Sequence, residues 1–296
     1  MSSAAAPSGN VLTGLALAGA GYACFAGQDA TVKWLVGSYS VPQILFLRSV
    51  VIVAISMVFA RAGGVEPFWK SRNLGWLTMR AMLLLGAWLC YYNAARHLAL
   101  AEMTTLYFVA PILVVMLSIV VLREKVTAAR WLAVIAGFAG VVIVADPTGR
   151  PDLMPALLVL AAAFMWAWSV ILVRVVSRKD STLSVMAVSS LFFAVVCGAM
   201  LPFLWRTPDL LGWGLILGFS LASAAGQYLV YEGFRYAPAS ALAPVEYTGL
   251  VWAFFYGYAI WADVPTLKVI LGAGLIVAAS LGLVWWERRA ARLAPG

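Results

Sequence analysis

The chain has 296 residues, 64% hydrophobic and 11% charged, with a formal charge of +8 and a mean hydropathy of +0.95. A soluble domain carries roughly a quarter charged residues to face water, so this composition excludes one. The positive charge does not point to nucleic acid either, because Lys and Arg fall in short gaps between apolar runs and not along one face.

Those apolar runs recur at lengths of about 20, enough for a helix to cross ~30 Å of hydrocarbon. Only helices or closed barrels satisfy every backbone group in lipid, and long unbroken runs select helices over short alternating strands. The expectation is an all-α polytopic membrane protein with ten spans. They are placed near 11–34, 41–60, 74–96, 102–122, 128–146, 154–175, 183–205, 211–234, 240–261 and 266–286.

In chain order, the first span carries Tyr22, Gln28 and, late in its course, Asp29; Arg48 enters early in the second. Charges inside spans are costly, and an ion pair between Asp29 and Arg48, at similar depth, would lower the cost of both. A structural brace and a moving gate or proton-linked switch are both open readings. The third span puts Trp88, Tyr92 and Ala95 on one helical face at i, i+4 and i+7. The fourth holds Tyr107 and Pro111, and the sixth Trp166 and Trp168. The eighth holds Gln227 and Tyr231, and the ninth Pro244 and Glu246 within APVEYTG.

Trp88, Tyr92, Tyr107, Trp168, Gln227 and Tyr231 are the candidate substrate-binding residues, with Tyr22, Gln28 and Trp166 as further contributors. Rings with a few hydrogen-bonding groups suit an organic solute with one ring and a polar end. Helix packing or lipid contact is the competing reading. Asp29, Arg48, Glu246, Pro111 and Pro244 are the gating or coupling candidates. Glu246 either titrates or pairs with Arg235 or a hydroxyl; the two prolines remove helix hydrogen bonds and act as hinges or fixed kinks. Trp69, Trp76, Trp131, Trp205, Trp285 and Trp286 sit near span ends and read as a headgroup belt.

YYNAARHLALAEMTTLYFVAP, from residue 91, returns as VYEGFRYAPASALAPVEYTGL, from residue 230. The offset of 139 pairs Trp88 with Gln227, Tyr92 with Tyr231 and Glu124 with Asp263. It lays spans 3–5 on spans 8–10, and a slightly larger shift lays spans 1–2 on 6–7. Residues 1–150 and 151–296 therefore read as two five-span repeats within one integral membrane unit. An odd number of spans inverts the second copy, as in secondary transporters. Fourteen Lys and Arg fall on the side shared by the termini and five on the other, with Arg48 inside a span. That places both termini in the cytoplasm. The N-terminal MSSAAAPSGN lacks Lys and Arg, which argues against a cleaved signal peptide.

AARHLALAEMTTLYFVAPILVVMLSIVVLREKVTAARWLAVIAGFAGVVIVA and GFRYAPASALAPVEYTGLVWAFFYGYAIWADVPTLKVILGAGLIVAAS, with Arg48 in span 2, resemble the EamA branch of the drug/metabolite transporter superfamily. Asp263 stands where that family usually has Glu, and Arg123 where Gly is common. The resemblance implies ten helices and small-molecule transport across the cytoplasmic (inner) membrane. It is nearest to the aromatic amino acid exporters, which implies outward transport of aromatic or hydrophobic amino acids by alternating access. The alternative is an efflux carrier for organic cations or drugs, with Glu246 facing the solute.

An enzyme is not expected. One His excludes a His-based metal site, Cys24, Cys90 and Cys197 are scattered in apolar segments, and no nucleotide or metalloprotease motif occurs. No cofactor or metal is expected, and the partners are a small-molecule substrate and the lipid bilayer. Gly19, Gly21, Gly137, Gly140, Gly272 and Gly274 should serve helix contacts within the chain, giving a monomer or weak homodimer.

Overall fold

The computed structural model describes residues 8–62, 74–122, 128–146, 153–175, 182–236, 245–246 and 248–293. Among them the chain is helical throughout, with no strand. The helices are α1 (Ser8–Leu35), α2 (Val41–Ala62), α3 (Leu74–Ala94), α4 (Leu100–Tyr107), α5 (Ala110–Leu122), α6 (Ala128–Ala145), α7 (Met154–Val175), α8 (Thr182–Leu204), α9 (Leu210–Tyr236), α10 (Thr248–Trp261) and α11 (Leu267–Leu293). Four stretches are by themselves long and apolar enough to cross a bilayer: Val41–Phe59, Leu74–Ala94, Val185–Leu204 and Leu210–Val230.

Side-chain caps mark the helix starts that follow short turns. Ser40 Oγ accepts from Gln43 N at 3.4 Å at the head of α2. Asp209 Oδ1 accepts from Gly212 N at 2.8 Å at the head of α9, and Thr266 Oγ1 from Val269 N at 3.4 Å at the head of α11. Each satisfies a backbone donor that the first helical turn leaves over. Helices α6 and α10 end on left-handed residues, Asp146 at φ 45° and Ala262 at φ 55°.

The fourth span departs from the single run expected over 102–122. It is two helices, interrupted at Phe108 and Val109. Phe108 N donates to the carbonyls of Thr104 (3.1 Å) and Thr105 (3.2 Å), and Val109 N to that of Leu106 at 3.3 Å. Pro111 is the physical reason for the break. It has no N–H to give the carbonyl of Tyr107, and its ring would crowd that oxygen. The third span likewise stops at Ala94, leaving Ala95 in a turn.

The chain divides into two compact units, each drawing on both halves of the sequence. The first comprises Met1–Arg72 and Asp180–Ala259, and the second Asn73–Lys179 and Ile260–Gly296. Within the first, α1 packs on α9, and α2 on α8 and α9. A Cβ on Gly21 would stand 3.0 Å from the carbonyl oxygen of Gly226, and one on Gly226 would stand 3.0 Å from that of Gly21. Only glycines permit this approach. A Cβ on Gly233 would meet the Gly14 carbonyl at the same distance, so α1 and α9 run antiparallel.

Within the second unit, α3, α4 and α5 pack on α7, and α6 on α11. Gly140 and Gly272 repeat the reciprocal arrangement, with 3.0 and 2.8 Å from each added Cβ to the opposing carbonyl. Gly137 lies against Ile112. Gly274, expected to serve the same purpose, has nothing within 4 Å of an added Cβ, and Gly19 makes only ordinary contact with Val245.

Candidate functional site

Helix α3 starts the ring cluster of the second unit. Trp88, Tyr91 and Tyr92 lie at i, i+3 and i+4, so they share one side of the helix. The Trp88 and Tyr92 centroids are 5.1 Å apart, those of Trp88 and Tyr91 6.3 Å, and those of Tyr91 and Tyr92 6.2 Å. From α4, Tyr107 meets Tyr91 edge-on at 5.1 Å. From α7, Trp166 meets Tyr107 at 6.2 Å. Five rings from three helices thus form one run.

Their burial is graded. Tyr91 and Tyr92 are buried, whereas Trp88, Tyr107 and Trp166 are half-buried and keep part of their surface open. Edge-to-face and tilted pairs of this kind contribute roughly 0.5–1.5 kcal/mol each beyond area burial. At Gly86 the flexible Met165 of α7 comes close to α3, with Sδ 2.8 Å from where a Cβ would stand. Tyr107 is the last residue of α4, so the break before Pro111 lies directly beside the ring run.

The ring that reaches Tyr107 is Trp166, two residues before Trp168, which is half-buried on a different side of α7. Tyr91, absent from the sequence-derived set, is the ring that joins the Trp88–Tyr92 pair to Tyr107. Its only sequence signal is the i+3 spacing from Trp88.

The first unit holds a polar group on facing helices. Gln28 of α1 is fully buried, as is Ser223 of α9. Ser223 donates to Gln28 Oε1 at 2.5 Å, and Gln28 Nε2 donates to Asp29 Oδ1 at 3.2 Å. One turn before Ser223, Phe219 receives the buried Arg48 guanidinium over its ring at 5.9 Å. Such a contact offsets part of the cost of burying a cation. Gln227, one turn beyond Ser223, is half-buried.

Glu246 is half-buried beside Val245, which packs against Ala18 of α1, as Leu15 and Tyr22 do. Tyr231 belongs to α9 and Pro111 to α5 by backbone, but the side chains of both fall outside the described part; Pro244 lies outside the described residues altogether, as does Glu124.

A second polar group ties the turn between α1 and α2 to that between α8 and α9. The buried Gln43 donates from Nε2 to the Arg206 carbonyl at 2.6 Å and accepts from Arg206 N at 2.9 Å. Arg206 Nη1 donates to the Ser38 carbonyl at 3.3 Å, and Tyr39 OH donates to Asp209 Oδ1 at 3.1 Å. Lost solvation, and then Asp209, push the Tyr39 phenol above its ordinary value. In the second unit, Lys268 Nζ pairs with Asp146 Oδ2 at 2.6 Å. Trp76, Trp131, Trp205, Trp285 and Trp286 are exposed near helix ends, and Trp69 lies outside the described residues.

Among the described residues, helices throughout, long apolar spans and polar side chains held inside them define a multi-pass membrane protein. The model of the EamA-like transporter family matches twice, over residues 12–145 and 153–285. The chain belongs to that family: it is a small-molecule transporter and not an enzyme.

A riboflavin transporter of Vibrio cholerae is 26% identical over 90% of this chain and 89% of its own. A pseudopaline exporter of Pseudomonas aeruginosa is 25% identical over 88% and 91%. An S-adenosylmethionine uptake transporter of Rickettsia bellii is 28% identical over 65% and 67%. A solved protein crystal structure with 18% identity superposes with a TM-score of 0.68 over 96% of this chain and 99% of that one, which bears on the fold alone.

Proposed function

We propose that the protein is a secondary carrier for small organic solutes with a flat ring and a polar, hydrogen-bonding end, with aromatic amino acids as the first candidates. The observation that carries this reading is the five-ring run Trp88–Tyr92–Tyr91–Tyr107–Trp166, three of its rings only half-buried and the run set beside the break in the fourth span. Rings present low-entropy apolar surface to a flat solute, while phenols supply donors and acceptors at its rim. Two relatives named as riboflavin transporters support a flat heterocycle as the wider class.

Transport runs outward by alternating access in the cytoplasmic (inner) membrane, with both termini in the cytoplasm. The fourteen-to-five distribution of Lys and Arg supports that orientation. Residues 1–150 and 151–296 act as two inverted repeats. The break at Pro111 supplies one hinge, and Pro244 stands as the candidate for a second. The small-residue faces are used within the chain, in keeping with a monomer or a weak homodimer. Efflux of organic cations is the second reading, favoured by the half-buried carboxylates of Asp29 and Glu246 inside spans.

The test is a panel of labelled Trp, Phe, riboflavin and a ring-free amino acid such as Ala, assayed for saturable flux in liposomes carrying the purified protein. Flux of one or more ring solutes, without flux of Ala, is the expected result. Equal flux of Ala, or flux of none of the four, contradicts the reading.

A further inference from the structure

We infer that the space in front of Gly27, with the Tyr256 hydroxyl at its edge, is a binding site for an acceptor oxygen of a solute, a carbonyl or a carboxylate. The site lies within the first unit, rests on the chain being a small-molecule carrier, and owes nothing to the ring run of the second unit.

Helix α1 and the ninth span run side by side in the same direction. A Cβ on Gly19 would stand 3.6 Å from Val245 Cγ1, and one on Gly27 would stand 3.7 Å from the Tyr256 hydroxyl. Gly27 is eight residues, about 12 Å, inside the end of α1 at Leu35. Among the described residues, nothing else beyond its own stretch of α1 comes within 4 Å of that added Cβ. Gly214, Gly218 and Gly274, with nothing within 4 Å, are exposed, whereas Gly27 is half-buried. The space at Gly27 is therefore a recess beside α10 and not open surface. Gly21, Gly226 and Gly233 show the other use of glycine on α1 and α9, since opposing backbone takes the place of their missing side chains.

Tyr256 is held so that its hydroxyl stays at this recess. Its ring stacks on Trp252 at 6.2 Å with 27° between the planes, and Phe255 meets it edge-on at 5.5 Å. Among the described residues the hydroxyl has no hydrogen-bond partner. A phenol inside a span is costly without one, and a solute entering the recess supplies it. The neighbouring groups set the polarity of that solute. The Gly27 carbonyl accepts from Thr31 Oγ1 at 2.8 Å besides taking its place in the helix ladder, so its two lone pairs are used. The Tyr256 O–H is left as the polar group, and it donates to an oxygen acceptor, more firmly to a charged one. Tyr256 touches the solute; Trp252 and Phe255 are positioning residues.

Two measurements test the site. The first is labelling of Gly27→Cys in lipid nanodiscs by an anionic, water-soluble methanethiosulfonate, with Cys24, Cys90 and Cys197 replaced by Ala. Gly274→Cys, on an exposed part of α11, is the comparison. Gly27→Cys should react about tenfold faster or more, because the reactive thiolate forms where water reaches. Equally slow labelling of both overturns the recess.

The second is calorimetric titration of the protein with butyrate, butyramide and butylamine, none of which carries a ring. Butyrate or butyramide should bind in preference to butylamine, and the tighter of the two says whether the acceptor is charged. Tyr256→Phe keeps the ring stack and removes the O–H, so it should weaken the charged acceptor about tenfold. Gly27→Val fills the recess and should abolish binding. Butylamine bound as tightly as the acceptors, binding of neither acceptor, or full affinity in Tyr256→Phe overturns the site. Should Gly27→Val fail to fold, Gly27→Ala and Tyr256→Phe decide, and unchanged affinity in both contradicts the inference. The flux of ring solutes tests the other reading separately, so either can fail without the other.

Discussion

At the scale of single residues, the described polar side chains inside the first unit are mostly bonded to one another or to the backbone. Gln43 shows the cost of leaving a backbone pair unmatched. It answers both the N–H and the carbonyl of Arg206, at 2.9 and 2.6 Å, from a fully buried position. Leu at this position keeps the volume and removes both partners from the backbone of the exposed Arg206, each bond contributing roughly 0.5–1.5 kcal/mol net. Gln43→Leu should therefore lower stability by about 1–3 kcal/mol, read as a drop in the thermal midpoint in detergent. An unchanged midpoint would mean that water takes over both groups.

Residue identity was the least legible level in the sequence. Trp88 and Tyr92 stood out because their spacing marks a helical face, and both do belong to the ring run. Tyr91 and Ser223 did not stand out. A tyrosine beside another tyrosine, and a serine in an Ala- and Gly-rich helix, become informative only when a neighbouring helix supplies Tyr107 or Gln28. That Trp166 and not Trp168 meets Tyr107 was illegible for the same reason: two residues change the side of a helix, and nothing local says which side α4 covers.

At the scale of elements, hydropathy located most described span ends to within a few residues, although α11 runs on from 286 to Leu293. It could not reveal the break in the fourth span, because α4 and α5 together read as one apolar run. Pro111 was the available signal, and it acts on the carbonyl one turn earlier. Glycines divide by environment in a way composition cannot show. A Cβ on Gly272 would stand 2.8 Å from the Gly140 carbonyl and closer still to Val144, while one on Gly274 meets nothing within 4 Å. Gly272→Ala should destabilise by roughly 1–3 kcal/mol through forced separation of α6 and α11. Gly274→Ala should be neutral or slightly stabilising, because Ala is the better helix former. Paired unfolding measurements on the two variants test this, and equal effects would contradict the close approach.

At the scale of the whole molecule, the helix pairings follow one rule. Counted as ten spans, with α4 and α5 as one, the major contacts join 1 with 8, 2 with 7, 3 with 6 and 5 with 10. Each pairing crosses between the halves of the sequence, and each joins an odd span to an even one. A shift of five turns the 1–8 pairing into 6–3 and returns 2–7 and 5–10 to themselves. The 139-residue repeat in the sequence and this exchange of partners are two views of one regularity. The duplication was legible in the sequence through the order of spans more than through matched letters, which are few, and the family model likewise matches twice. The sequence did not show that each compact unit mixes both halves, because partner choice depends on how faces fit, as where opposed glycines bring α1 to α9 and α6 to α11.

The most direct test is the flux of a ring solute in liposomes carrying Tyr107→Ala, Trp166→Ala or Trp285→Ala. Tyr107 and Trp166 belong to the ring run, whereas Trp285 is exposed near the end of α11 under Arg289 at 5.3 Å. Losing a ring contact worth roughly 1.5 kcal/mol lowers apparent affinity about tenfold. The first two variants should show that loss, with Trp285→Ala within about twofold of the wild type. Unchanged saturable flux in folded Tyr107→Ala and Trp166→Ala would contradict a solute site on these rings.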